Sequence, residues 1–318
     1  MFKKQKIEDM LNIVMTAVIA NIILFFFGST GFENVIISAP FIVVLYKYGI
    51  KEYVFSLILA FISAYFIVGL EVLIIQLAMI IVISSVSVYC MKKRMPIGKI
   101  VGFAATSSFV VIVLSLLAFY LITKENPFEV MNNAIIFSID KIESVISNDI
   151  NFTPEMVKEY IVYFKEMVNE LFRILPAIFL IYSLVISFTN LMISIFIMKK
   201  TGIKLLYGTK LNRLTLNKNF RYLFFAFIVF FLISLIPGSG IGIIAENLWA
   251  VTNALLFFNG LSYIDYFLEM KVGKIARVLL WIIILVIFRL YIFIIFFGFM
   301  DLFTNIRYEI RKGKVNNG

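Results

Sequence analysis

The chain has 318 residues, of which 62% are hydrophobic, 16% aromatic and only 15% charged, and its mean hydropathy is +1.01. Soluble domains are near half apolar and about a quarter charged, so this composition excludes a soluble globular domain, a disordered chain and a disulfide scaffold. The chain has no histidine and a single cysteine, Cys90, which excludes histidine acid–base catalysis and the usual zinc sites. We therefore expect an all-α, polytopic transmembrane helix bundle that is not an enzyme and holds no metal or cofactor.

Nine apolar segments are candidates for membrane spans, because a spanning helix needs about 20 mostly apolar residues. The second segment is short and contains Pro40, so we expect it to be tilted, broken or only partly inserted. About eight or nine crossings are predicted, from these segments: Met10–Phe27, Val35–Tyr46, Tyr53–Gly69, Val72–Cys90, Ile100–Ile122, Pro176–Met198, Tyr222–Pro237, Ile241–Leu268 and Ile275–Met300.

The net charge of +10 is concentrated in short basic clusters between the apolar segments. The positive-inside rule places such clusters in the cytoplasm, so the charge indicates a lipid bilayer as partner and no nucleic acid. We expect a bacterial inner-membrane protein with a cytoplasmic N-terminus. Its predicted parts are a six-span N-terminal bundle (1–198), a basic cytoplasmic loop (199–221), and a C-terminal region of two or three spans with a basic tail (222–318). Nine crossings would leave that tail outside, so either one segment does not cross or the tail is an exception.

Residues 123–172 form the longest polar interruption and carry nine acidic residues against four lysines, which suits an external loop. Within it, Thr153-Pro154-Glu155 is a typical helix start, with a capping hydroxyl, a proline and an acid. An apolar stripe follows at three- and four-residue steps: Met156, Tyr160, Phe164, Met167 and Leu171. Two interpretations stay open, a helix that covers the bundle or lies on the outer leaflet, and a lid over a binding cavity.

Ionisable residues inside a bilayer are candidates for functional sites, because a charge in hydrocarbon is costly. Arg289 lies near the middle of the ninth segment, and Asn259 of the eighth reaches a similar depth. Asp265 lies nearer the inside surface, whereas Glu246 lies near the opposite mouth, with Asn253 on the same helix face. Arg289, Asp265 and Asn259 are predicted either to clamp neighbouring helices together or to line a polar pocket for an anionic or hydrogen-bonding ligand. Asn253 and Glu246 would add to the pocket. Asn21, Gln76 and Asn190 also lie within spans, where such side chains more often join helices than bind ligands.

Short motifs near the C-terminus resemble a known family. Asn259-Gly260-Leu261, Gly298-x-x-Asp301 and Arg307 resemble the tail of the YybS-like bacterial membrane proteins, the family called domain of unknown function 2232. That family is similar to the substrate-binding subunits of energy-coupling-factor transporters, which have six helices. The resemblance implies a substrate-binding part in the first six spans. It also implies docking to a membrane coupling subunit through small residues of the first helix, here Thr16 and Ala20.

Two classes of function follow from the sequence. The first is a transport-related component that binds a solute or lipid in the bundle and depends on a separate ATPase. The alternative is an interaction or scaffold protein of the cell envelope, with the acidic external segment and the basic loop as docking surfaces for envelope proteins. A membrane-embedded enzyme ranks below both, because no nucleophile–base pair is recognisable.

Overall fold

The computed structural model describes residues 2–27, 32–147, 153–203, 205, 211–236, 240–273, 275–277, 279, 290–304 and 306–307. These residues are helical and contain no β-strand, which confirms the all-α prediction. Two short 3₁₀ helices, Phe32–Val35 and Leu211–Arg213, accompany the α-helices, which are numbered here in chain order. Their bounds are α1 Phe2–Phe27, α2 Ser38–Lys47, α3 Ile50–Val68, α4 Leu70–Lys92, α5 Ile97–Thr123, α6 Pro127–Ile146, α7 Pro154–Arg173, α8 Leu175–Lys200, α9 Phe220–Ser234, α10 Gly242–Lys271 and α11 Tyr291–Thr304.

The N-terminal half is built around the short helix α2, which contacts α1, α3, α4 and α8. Seven of its ten residues are buried, including Phe41 and Ile42 at the centre of the main apolar core. Pro40 is tolerated because it stands in the first turn, where a backbone N–H has no partner within the helix. At ~1.5 Å per residue α2 is about 15 Å long, half of the ~30 Å hydrocarbon layer.

Three helices among the described residues are long and apolar enough to cross a membrane: Val72–Lys92, Ile97–Thr123 and Leu175–Lys200. They correspond to the fourth, fifth and sixth predicted spans. Shorter apolar stretches cover Ile13–Phe27, Phe220–Ser234 and Tyr291–Thr304. The structure is thus a helical bundle of a membrane protein, and the count of eight or nine crossings stays a prediction.

The segment between the fifth and sixth predicted spans is a helical hairpin. Asn126 caps α6 by accepting a hydrogen bond from the N–H of Phe128, and Thr153 caps α7 in the same way from Met156. The predicted helix start at Thr153-Pro154-Glu155 is therefore confirmed. The packed face is rotated from the predicted stripe, because the facing helix α6 was not foreseen from the sequence. A small core is shared by Ile139 on α6 and three residues of α7, Val157, Ile161 and Val168, while Met156, Tyr160, Met167 and Leu171 are exposed.

Within the described residues the C-terminal half contains α9, α10 and α11, with α10 packed along α11 and also against α8. Arg221, at the start of α9, donates to the carbonyls of Leu302 (2.9 Å from Nε) and Phe303 (3.0 Å from Nη2). These carbonyls lie near the C-terminal end of α11. Arg221 therefore ties this end of α11 to the start of α9.

Candidate functional site

The side chains that carry the family resemblance meet in one buried network. Arg307 donates from Nε to Asp301 Oδ1 (2.8 Å), from Nη1 to Ser262 Oγ (2.7 Å) and from Nη2 to Asn259 Oδ1 (3.1 Å), and also pairs with Asp301 Oδ2. Asn259 in turn donates to the carbonyl of Gly298 at 2.8 Å. We call Asn259, Ser262, Asp301 and Arg307 the C-terminal clamp. Each of the four side chains is less than a tenth exposed.

The C-terminal clamp also holds the connector between α8 and α9, at Leu211, Leu214 and Leu216. Ser262 Oγ lies 2.8 Å from the carbonyl oxygen of Leu211 and close to that of Leu214, and Arg307 Nη1 donates to Leu214 at 3.2 Å. The N–H of Leu216 donates to Asn259 Oδ1 at 3.2 Å. The buried charges are thus paired with each other and surrounded by hydrogen-bonding groups, so these polar side chains are already engaged within the chain.

Two glycines allow α10 and α11 to approach closely beside this clamp. A Cβ atom added at Gly260 would lie 1.9 Å from the carbonyl oxygen of Ile294, and one at Gly298 would lie 1.9 Å from that of Leu256. Both contacts are with backbone, which cannot rotate away as a side chain can. The glycines of the family motifs therefore set the helix crossing that brings Asn259 within reach of Asp301.

The structure separates the other predicted ligand residues. Asp265 is buried and accepts from Arg277, with Arg277 Nε at 3.0 Å. Glu246, at the other end of α10, pairs with Arg173 at 2.8 Å in a half-exposed contact, and Asn253 between them is only partly buried. Arg289 lies outside the described residues. A pocket formed by these five residues stays a prediction, with Asp265 and Asn259 each held by other partners.

The predicted docking residues lie on the inner face of α1. Thr16 is 6% exposed and Ala20 is 1% exposed, and Ala20 belongs to the main apolar core. This face of α1 is therefore covered by the chain's own helices, with α3 making the most extensive contact. The role of Thr16 and Ala20 in docking stays a prediction.

A second buried polar cluster lies in the N-terminal half, around the 3₁₀ helix that precedes α2. Glu33 Oε1 accepts from Gln76 Nε2 of α4 at 2.9 Å and from the neighbouring Asn34 Nδ2 at 3.2 Å. Asn190 of α8 donates to the backbone carbonyls of Asn34 (2.7 Å) and Ile186 (2.8 Å). We call Glu33, Asn34, Gln76 and Asn190 the Glu33 cluster.

Several oxygens of the Glu33 cluster have no hydrogen-bond partner among the described residues. Glu33 Oε2, Asn34 Oδ1, Gln76 Oε1 and Asn190 Oδ1 are all buried and unpaired there. Glu33 and Gln76 are each 3% exposed and Asn190 is 0% exposed. Buried polar atoms in proteins are nearly always paired, so four orphaned oxygens in one connected cluster call for an explanation.

The Glu33 cluster lies deep in the bundle. Asn190 stands ten residues before Lys200, the basic end of α8, which is about 15 Å at ~1.5 Å per residue. Gln76 stands sixteen residues before Lys92, the basic end of α4, which is about 24 Å by the same rise. Both distances fall within the ~30 Å hydrocarbon layer. Where α4 and α8 span the membrane, Glu33 is therefore a carboxylate within it, beside the start of a helix of half the spanning length.

No role was predicted for Glu33 from the sequence, and Gln76 and Asn190 were interpreted as side chains that more often join helices than bind ligands. The short second segment could have indicated Glu33. A helix of half the spanning length can begin inside the membrane, so the residues just before it can lie there too. The described residues contain no group of three or more His, Cys, Asp and Glu side chains that could hold a metal ion. The cluster instead offers one carboxylate and several amide oxygens, a set of acceptors.

Comparisons with known proteins place the chain at the level of a family. It has no match among the curated proteins or the solved structures. The similarity to energy-coupling-factor subunits therefore stays a prediction. Residues 14–302, most of the chain, match the family described as predicted membrane protein (DUF2232), to which this protein belongs.

Proposed function

We propose that the protein is a binding component of a membrane transport system, which holds a small solute within its N-terminal bundle and depends on a separate ATPase. The observation that carries this proposal is the Glu33 cluster, a buried carboxylate with unpaired acceptor oxygens beside the half-length helix α2. Interrupted helices that end near the middle of the bilayer are a recurrent way in which transporters form binding sites. Intramembrane ionisable groups are functional candidates for the same energetic reason.

The C-terminal clamp supports a different role for the second half. Its charges are paired and its carbonyl and hydroxyl groups are engaged, so it joins α10, α11 and the connector in one unit. We infer that this half is a scaffold for the bundle or for a coupling subunit. The solute site belongs to the N-terminal half.

The test is purification of a tagged chain from native membranes in mild detergent, followed by identification of bound proteins and small molecules. The proposal predicts stoichiometric recovery of an ATPase pair with a membrane coupling subunit. It also predicts a small molecule that is retained by the wild type and lost in Glu33→Gln. Glu129→Gln, a change in the hairpin helix α6 outside the Glu33 cluster, is the matched control and should retain it.

The scaffold alternative predicts the opposite pattern. Recovery of envelope proteins without any ATPase, together with an unchanged set of small molecules in Glu33→Gln, would overturn the transport proposal. The docking surface would then be sought on the exposed faces of the acidic hairpin α6–α7, where Tyr160, Tyr163 and Met167 are exposed.

A further inference from the structure

The orientation of the amides in the Glu33 cluster is fixed by their donors. Gln76 Nε2 and Asn34 Nδ2 both donate to Glu33 Oε1, and Asn190 Nδ2 donates to two backbone carbonyls. Turning any of these amides over would place its oxygen against an acceptor, which is unfavourable. The amide nitrogens are thus used, and the orphaned atoms are all acceptors.

The negative charge of Glu33 also indicates what kind of partner the cluster would bind. Among the described residues no salt bridge reaches Glu33, although its side chain is nearly fully buried. A buried carboxylate without a counter-charge is strongly unfavourable in a medium of low dielectric constant. A partner that carries positive charge and accepts no hydrogen bonds would balance this carboxylate and satisfy the unpaired oxygens.

The number of carboxylates limits the charge of that partner. Protein sites for Ca²⁺ commonly contain several carboxylates, and Mg²⁺ keeps most of its water. The Glu33 cluster holds a single carboxylate, which balances a single positive charge. Carbonyl oxygens replace the hydration shell of K⁺ in channels, and the same kind of oxygen accepts hydrogen bonds from an ammonium group.

The space beside the cluster limits the size of the partner. A cavity of about 20 Å³ adjoins Gln76, and the rest of its described lining is apolar, with Phe41, Leu73 and Ala64 among its members. A cavity needs roughly 10–15 Å³ on this measure to hold one water molecule. Glu33, Asn34 and Asn190 are not among its lining residues, so this cavity is not the cation position itself. Its small volume beside Gln76 leaves no room for a large polar solute.

We propose that the Glu33 cluster binds a compact monovalent cation, with Glu33 Oε2 and the amide oxygens of Gln76, Asn34 and Asn190 as its ligands. The cation is either a free alkali ion or the ammonium group of a bound solute, since both present the same chemistry to these oxygens. This inference deepens the proposed transport function and rests on it for its biological meaning. The binding itself is testable without any transport partner.

The experiment measures the thermal unfolding midpoint of the full chain in detergent as the concentration of one salt is raised. The salts are NaCl, KCl, ammonium chloride and methylammonium chloride, and choline chloride keeps the ionic strength constant. A ligand that binds only the folded state raises the midpoint in a saturable way. Saturation by Na⁺ or K⁺ identifies an alkali-ion site, whereas saturation by the ammonium compounds alone identifies the head group of a solute. Equilibrium binding of radioactive ²²Na⁺ to the wild type provides a second readout.

Variants test whether the effect belongs to the Glu33 cluster. Glu33→Gln should abolish the cation dependence, and Gln76→Met, which keeps the carboxylate and the side-chain volume, should weaken the apparent affinity at least tenfold. Asp140→Asn, on the exposed surface of α6, should behave as the wild type. If Glu33→Gln does not fold, Gln76→Met and the binding measurement on the wild type still show whether the Glu33 cluster binds the cation.

Three results would overturn the inference: no saturable dependence in the wild type, a dependence retained in Glu33→Gln, or a response to Ca²⁺ or Mg²⁺ alone. Failure of the proposed function looks different. Cation binding without any ATPase partner would support this site and contradict the transport role. An ATPase partner without cation binding would support the transport role and contradict this site.

Discussion

Removal of the Arg307 side chain tests the C-terminal clamp most directly. Arg307→Ala deletes hydrogen bonds to Asp301, Asn259, Ser262 and the carbonyl of Leu214. It also leaves the Asp301 carboxylate, only 7% exposed, without its cation. Removing one partner of a buried ion pair costs about 3–5 kcal/mol, because the remaining charge is desolvated and unpaired. We expect a loss of stability in that range.

The assay is unfolding of the purified chain in detergent, by heat and by titration with sodium dodecyl sulfate, with the fraction of monodisperse protein as the readout. Lys165→Ala is the control, since it breaks an ion pair with Asp140 whose side chains are 44% and 54% exposed. Such a surface pair contributes at most about 1 kcal/mol. Replacing Arg307 by Met and Asp301 by Leu together should recover part of the loss. Equal effects of Arg307→Ala and Lys165→Ala would refute the buried-charge argument.

Three further predictions concern packing, a second ion pair and a helix cap. Gly298→Ala should destabilise the chain by several kcal/mol, because the added Cβ would clash with backbone. Gly102→Ala is the control and should be neutral, since the space at its Cβ is open. Equal unfolding midpoints of the two variants would contradict the close crossing of α10 and α11. Asp265→Asn should cost less than Arg307→Ala in the same assay, because Arg277 is 28% exposed and can turn to water; a larger loss would contradict this. Thr153→Ala should cost about 0.5–2 kcal/mol, seen as faster amide hydrogen exchange in the first turn of α7. Unchanged exchange there would show that the cap is not formed.

The all-helical class and the strongest apolar segments could be predicted from the sequence because they depend on composition and on local pattern. The cap of α7 could be predicted for the same reason, since Thr153, Pro154 and Glu155 act within one turn. The shortness of the second apolar segment could be predicted as well, as Pro40 and the length of the segment are local features. These properties require no knowledge of what packs against each helix.

The partners of the polar residues could not be predicted, because they are separated widely along the chain. Asn259 was matched with Arg289 by depth, yet its observed partners are Arg307, Asp301 and a connector residue more than 40 positions earlier. Glu33 had no distinguishing pattern of its own. Its importance depends on Gln76, 43 residues later, and on the contact of its neighbour with α8, 156 residues later.

The C-terminal clamp has a consequence for the order in which the chain enters the membrane. Asn259 and Ser262 emerge from the ribosome before Asp301 and Arg307, so α10 is synthesised with a polar face whose charged partners do not yet exist. Until α11 is inserted, that face must remain beside the translocon, a chaperone or the connector, because exposure of polar groups to lipid is costly. A stop codon between α10 and α11 should therefore yield a fragment that membrane quality-control proteases remove, even though most of its helices are complete.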